Sequence, residues 1–202
     1  MLLSNSEMIR NGLTSSIRIY CVSRQSVYLS TRYSHHNAEP PKWKKPERGC
    51  IKLNFDGSSR TKKASIGGVY RNHEGAFLLG YSERIEKATS CVAELVAVKR
   101  GLELALENGW LNVWIEGDAK FVVDLLLKPT RVKSKEHVKH ASEIRMLASL
   151  LDHFDASHIS RKGNKVADKL AKLGYEINKP TVWRDVPPAD IARFLCEDAA
   201  DN

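Results

Sequence analysis

Long apolar runs are missing from this sequence. No stretch approaches the ~20 consecutive apolar residues that a bilayer-spanning helix requires, so a membrane-spanning helix is not expected. Cysteine is sparse. Cys21, Cys50, Cys91 and Cys196 lie far apart and form no CxxC pair, which argues against a structural zinc site or a disulfide framework and makes a reducing compartment the default. His137 and His140 stand at i, i+3 on an expected helix, but no third His and no Cys is near them in sequence. They read as solvated polar residues rather than a metal pair. What is present is a chain of 202 residues with 42% hydrophobic and 28% charged side chains, enough for one globular domain of about 100–150 residues plus appendages.

Acids are also nearly absent from one end. Residues 1–33 are rich in Ser and Thr, carry Arg10, Arg18, Arg24 and Arg32, and have Glu7 as their one acid. That is the composition of an organellar transit peptide, and Thr31-Arg32-Tyr33-Ser34 resembles a mitochondrial processing site cut after Tyr33. A mitochondrial destination is expected, with the chloroplast as alternative because plastid presequences overlap in composition. Without that segment the net charge of +8 falls to +5, from 28 basic and 23 acidic residues. Such a domain suits a polyanionic partner. Residues 34–42 read as a linker holding the helix-hostile Pro40-Pro41. Residues 43–175 read as the folded domain, and 176–202 as a tail docked on it through Ile191, Phe194 and Leu195. A monomer is expected.

Ile51, Leu53 and Phe55 alternate with Lys52, Asn54 and Asp56, the period of a half-buried strand, which is expected to break at Gly57-Ser58-Ser59. Strands over about 65–71 and 76–84, joined by Asn72-His73-Glu74-Gly75, complete an antiparallel meander. Val92, Leu95, Val98, Leu102 and Leu106 repeat at helical spacing until Asn108-Gly109. A strand over 112–115, helices over 118–127 and 134–151, a strand over 156–159 and a helix from Asn164 follow. The order predicts an α/β fold with a mixed five-stranded sheet flanked by helices.

Four acids fall at special places. Asp56 ends the first strand, Glu94 lies in the first turns of the first long helix, Asp118 follows the fourth strand, and Asp168 sits near the start of the helix from Asn164. Strand ends and helix N-termini are where ligands and metals collect in such folds. Carboxylates brought together repel and need cations, and oxygen-only ligation selects Mg²⁺, with Mn²⁺ as substitute. Asp118 and Asp168 could also serve as a helix cap and a dipole partner. Asp124, Asp152 and Asp155 have no matching context.

Four segments, Ile51-Lys52-Leu53-Asn54-Phe55-Asp56-Gly57-Ser58, Ala93-Glu94-Leu95-Val96-Ala97, Glu116-Gly117-Asp118 and Asn164-Lys165-Val166-Ala167-Asp168-Lys169-Leu170-Ala171, together resemble the successive motifs of ribonuclease H type 1 domains. The closest likeness is to their plant reverse-transcriptase-like branch, which Trp43, Trp183 and Pro187-Pro188 also fit. The resemblance spans about residues 43–195. It implies an RNase H-like fold and a metal-dependent endonuclease that cleaves the RNA strand of RNA–DNA hybrids with two Mg²⁺ ions about 4 Å apart. Asp56 would bridge both ions, Glu94 and Asp118 would complete one shell, and Asp168 would help hold the other. Glu94, Gly57 and Ser58 would read the 2′-hydroxyl that marks RNA.

The chain departs from that pattern around the acids. Where the family often has Thr-Asn-Asn, a hydrogen-bonding run for the hybrid's minor groove, it has Thr89-Ser90-Cys91, and Lys120 replaces a frequent Gln. The family's flexible-loop histidine would be His158 by counting, but the alternation makes His158 a strand residue before the shortened loop Arg161-Lys162-Gly163. Basic residues offer compensation. Lys62-Lys63 and the cluster Arg161, Lys162 and Lys165, with Asn164, could hold phosphates electrostatically. The second reading is therefore a nucleic-acid-binding module of the same fold with little or no cleavage.

Overall fold

The alternating and 3.6-residue periods resolve into twelve elements in a computed structural model, which describes residues 42–61, 63–128 and 134–200. The expected transit segment, the linker up to residue 41, and Lys62 lie outside the described residues. The strands are β1 (Ile51–Arg60), β2 (Lys63–Arg71), β3 (Phe77–Ile85), β4 (Asn112–Gly117), β5 (His153–His158) and β6 (Thr181–Arg184). The helices are α1 (Ser90–Glu107), α2 (Lys120–Leu127), α3 (Lys135–Ala148), α4 (Lys165–Leu173) and α5 (Ala189–Ala200), with a 3₁₀ turn at Arg161–Gly163.

One mixed sheet has the order β5-β4-β1-β2-β3-β6. β1, β2, β3 and β6 are antiparallel neighbours, whereas β1–β4 and β4–β5 are parallel. The expected five strands are thus six. β6 adds to β3 with Gly80 opposite Trp183 and Tyr81 opposite Val182. A four-residue strand is too short to show a period, so the segment read as plain tail.

Alternation in β2 sorts the helices onto two faces. Ile66 and Tyr70 join Leu53, Phe55, Leu95, Val98 and Leu102 in the larger core beneath α1, and Ile144 of α3 joins the same core. Val69 points the other way, into a smaller core with Val166, Leu170 and Ile191 from α4 and α5. The Tyr70 and Tyr81 hydroxyls donate to the carbonyls of Gly101 and Ala97, pinning α1 to the meander. Thr89 caps α1 by accepting from Val92 N, and Asn108 closes it through Leu104 O, before Gly109 at φ +70.

β1 does not break at Gly57. It runs on to Arg60, paired with β2 throughout. Nor is it half-buried: Lys52 and Asn54 are 0% and 1% exposed. Their face is covered by Trp43 and Trp114, whose rings lie 5.7 and 3.4 Å from Lys52 Nζ. Lys52 and Asn54 also bond Glu116 at 3.1 and 3.0 Å. Arg71, 1% exposed, stacks on Trp43, donates to Asn54 Oδ1 and reaches Asp198 of α5 at 2.6 Å. Buried charges survive where they are paired and hydrogen-bonded, so two cations and one acid are hidden on a face whose polar residues had suggested solvent.

Candidate metal centre

Three chain segments deliver carboxylates to one point. β1 carries Asp56 to the sheet's centre, β4 ends one residue before Asp118, and α1 presents Glu94 one turn after its cap. Gly57 allows that approach, because a Cβ there would lie 2.2 Å from Glu94 N and 2.3 Å from the Ala93 carbonyl carbon. α2 starts only at Lys120, with Ala119 at its cap position. Asp118 is thereby relieved of the capping duty that the expected boundary gave it, and its side chain stays with the other acids. Ligand oxygens of Asp56, Glu94 and Asp118 lie within 4.8 Å of one another.

The electrostatics of this trio are unfavourable without a cation. Burial first, then the charges of Asp118 and Asp168, push Asp56 up to about 8, with a hydrogen bond to Asp118 in the same direction. Burial first, then Asp56 and Asp118, push Glu94 up to about 9, although Gly57 N donates to it. Glu94 Oε2 is buried without a hydrogen-bond partner. An orphaned acceptor beside two buried carboxylates and a half-buried third is what a hard divalent cation would satisfy. The residues present fit such an ion.

Asp168, on the fourth residue of α4, stands apart from the trio. Its oxygens face Lys172 Nζ at 2.5 Å and Arg161 at 3.5 Å. Its charge still reaches Asp56. Sequence placed it beside the others without showing that local cations would hold it.

The family profile described as "Reverse transcriptase-like" matches residues 54–174, a stretch that contains all four acids. The chain belongs to this reverse-transcriptase-like, ribonuclease H-like family. It is 30% identical over 165 residues to an Arabidopsis thaliana protein whose name provisionally makes it a ribonuclease H, covering 77% of this chain and 25% of that one. It is 28% identical over 129 residues to ribonuclease HI of Halobacterium salinarum, covering 62% of this chain and 65% of the relative. The crystal structure of RNase H1 from that halophile matches with a TM-score of 0.61 at 26% identity, over 63% of this chain and 98% of the other. A ribonuclease H1 isolated from compost, determined in complex with RNA/DNA hybrid, matches with a TM-score of 0.58 at 26% identity, over 62% and 96%. The chain spans less than two thirds of the length of these curated relatives.

Within this reverse-transcriptase-like chain the other expected site residues have distinct surroundings. Asn164 is 1% exposed and turned inward. Its amide donates to Phe55 O at 2.9 Å and Asp118 Oδ1 at 3.2 Å, so it ties α4's start to the acids rather than facing a ligand from the surface. Thr89 Oγ1 accepts from Val92 N at the α1 cap, and Ser90 is exposed beside it. Lys120 pairs with Asp124 at 2.8 Å, and Lys165 with Glu197 at 3.2 Å. Arg161 and Lys162 are exposed on the 3₁₀ turn. Ser58 is half-buried next to Gly57.

His158 is the last residue of β5, as the alternation indicated, and is exposed. Its Nε2 lies 3.2 Å from the Asp118 carbonyl oxygen, which can only accept, so the ring donates there. The fold also brings Cys91 Sγ to 4.0 Å from His137 Nδ1, a pairing the sequence spacing hid. Burial raises that thiol's pKa, and the two groups have no third ligand in their neighbourhood among the described residues.

Proposed function

We propose that the chain is a metal-dependent endonuclease that hydrolyses the RNA strand of RNA–DNA hybrids. The trio of buried Asp56 and Glu94 with half-buried Asp118, and Glu94 Oε2 left unsatisfied, carries the reading. The similarly folded compost ribonuclease H1, determined with an RNA/DNA hybrid, supports the substrate class. Two Mg²⁺ ions, with Mn²⁺ as substitute, would supply water activation and charge stabilisation for in-line attack on a phosphodiester.

The chain's own residues divide the remaining work. Asp56 would hold both ions, Glu94 and Asp118 one of them, and Asp168 the other after exchanging Lys172 and Arg161 for the ion. Asn164 keeps the Asp118 carboxylate and the backbone beside Asp56 in fixed relation. His158 acts through the Asp118 carbonyl, a positioning role rather than proton transfer. Gly57 N orients Glu94. Arg161 and Lys162 offer exposed positive charge for backbone phosphates.

One observation favours a second reading, a binding module with little cleavage: Asp168 is already ion-paired. One assay separates them. The chain is incubated with labelled RNA–DNA hybrid and Mg²⁺ or Mn²⁺, beside Asp56→Asn and Asp118→Asn. Metal-dependent cutting that falls at least 100-fold in both variants supports the enzyme; tight hybrid binding without cutting sinks it. Residues 1–33 are proposed to direct the protein to the mitochondrion rather than the chloroplast, which a fluorescent fusion of that segment would test.

A further inference from the structure

β1 continues for four residues beyond Asp56, and alternation places Asp56, Ser58 and Arg60 on one face. This strand end is clamped from both sides. Ser59 Oγ donates to Ala88 O at 2.6 Å, just before the α1 cap. On the other side Tyr175, two residues past α4 and 8% exposed, donates its hydroxyl to Ser58 Oγ at 3.0 Å. Arg60 lays its guanidinium 4.1 Å from the Tyr175 ring centre, and Arg84 fixes the Tyr175 carbonyl. Among the described residues Arg60 forms no ion pair, and it is exposed.

This arrangement has a chemical direction. A serine hydroxyl has one proton to give. With the Tyr175 hydroxyl donating into its oxygen, Ser58 keeps that proton for an acceptor outside. Stacking on an aromatic face leaves the guanidinium's N–H edge free for a bidentate anion. Arg60 is about 13 Å along the strand from Asp56, at ~3.3 Å per residue, so it would meet a phosphate other than the one at the acids.

Resting on the ribonuclease reading above, we infer that Tyr175 is a positioning residue for the RNA strand. It aims the Ser58 hydroxyl and the Arg60 guanidinium at backbone oxygens on the rim of the carboxylate cluster. Tyr175→Phe removes the hydroxyl and keeps the ring. It raises KM for hybrid cleavage about 3–10-fold, leaves kcat within about twofold, and preserves the salt dependence of binding, since one neutral hydrogen bond is lost. Arg60→Gln lowers the slope of log affinity against log salt by roughly 0.7–0.9, the loss of about one phosphate contact. Tyr175→Leu shows both effects.

Hybrid binding is measured by fluorescence anisotropy on the full chain, in parallel with cleavage. A wild-type KM in Tyr175→Phe, or an unchanged slope in Arg60→Gln, overturns the inference while the ribonuclease reading stands. Arg60 is exposed, so its substitution does not depend on the fold surviving a core change. A wild-type chain that neither binds nor cuts hybrid overturns both readings together.

Discussion

At neutral pH the buried carboxyls of Asp56 and Glu94, raised to about 8 and about 9, hold protons that an unfolded chain would release near its ordinary values of 3.8 and 4.5. The unfolded state thus binds fewer protons over that interval, so metal-free stability falls as pH rises from about 4 to about 9. A divalent cation removes that slope, because it holds the native acids in the ionised form that the unfolded chain also has. Thermal melts with and without Mg²⁺ at pH 6 and pH 9 should therefore show a larger Mg²⁺-dependent rise in Tm at pH 9. Equal rises at both would contradict the assignment. By the same reasoning Asp56→Asn should melt higher than the metal-free wild type at pH 9, with the gain shrinking towards pH 6, while Mg²⁺ loses most of its effect. Asp56, Glu94 and Asp118 were legible from sequence as acids at an expected strand end or in the first turns of a helix, although Asp56 proves to lie within β1. Basic neighbours of Asp168 were legible too, Arg161 in the cluster beside it and Lys172 at i+4 on the expected helix, but not that they would pair with it.

Elements position these side chains through a few close contacts, and β1 packs tightly against α1 at Gly57. Gly57→Ala must separate the two, as no neighbouring flexible side chain can yield to the new carbon. The expected cost is about 1–3 kcal/mol of stability, read from denaturant unfolding, with hybrid cleavage reduced more than tenfold because Glu94 moves with α1. The periods of 2 and 3.6 residues located β1 to β5 and α1 to α4 within a few residues. They failed where periodicity carries no information. β6 has four residues, and β1 looks amphipathic although both of its faces are covered. Lys52 and Asn54 spell solvent in a pattern of alternation, and only Trp43, Trp114 and Glu116, distant in sequence, turn that face into an interior. Asp198→Ala tests the covering element. It leaves Arg71 buried with one fewer charge partner and should cost about 2 kcal/mol, with hybrid cleavage otherwise retained at low temperature.

On the scale of the whole molecule, the sheet is sealed by segments from both ends of the domain. Trp43, 2% exposed, donates to Asn54 Oδ1 at 2.8 Å and lies against both Lys52 and Arg71. A chain starting at residue 42 should melt close to the full-length protein. One starting at residue 50 should lose about 3–5 kcal/mol, the cost of deleting a large aromatic from a core. Similar melting of both truncations would place the domain boundary after Trp43.

The Arg71–Asp198 contact spans 127 residues of sequence, which sets an order on biosynthesis. At ~5–20 residues per second, Arg71 is added to the chain roughly 6–25 s before its carboxylate is made. Asp56 is translated before that interval opens, and Glu94, Asp118 and Asp168 within it. The nascent chain can gather its chemistry beneath α1 while the opposite side of the sheet still waits, with a guanidinium committed to the interior, for the last helix to close over it.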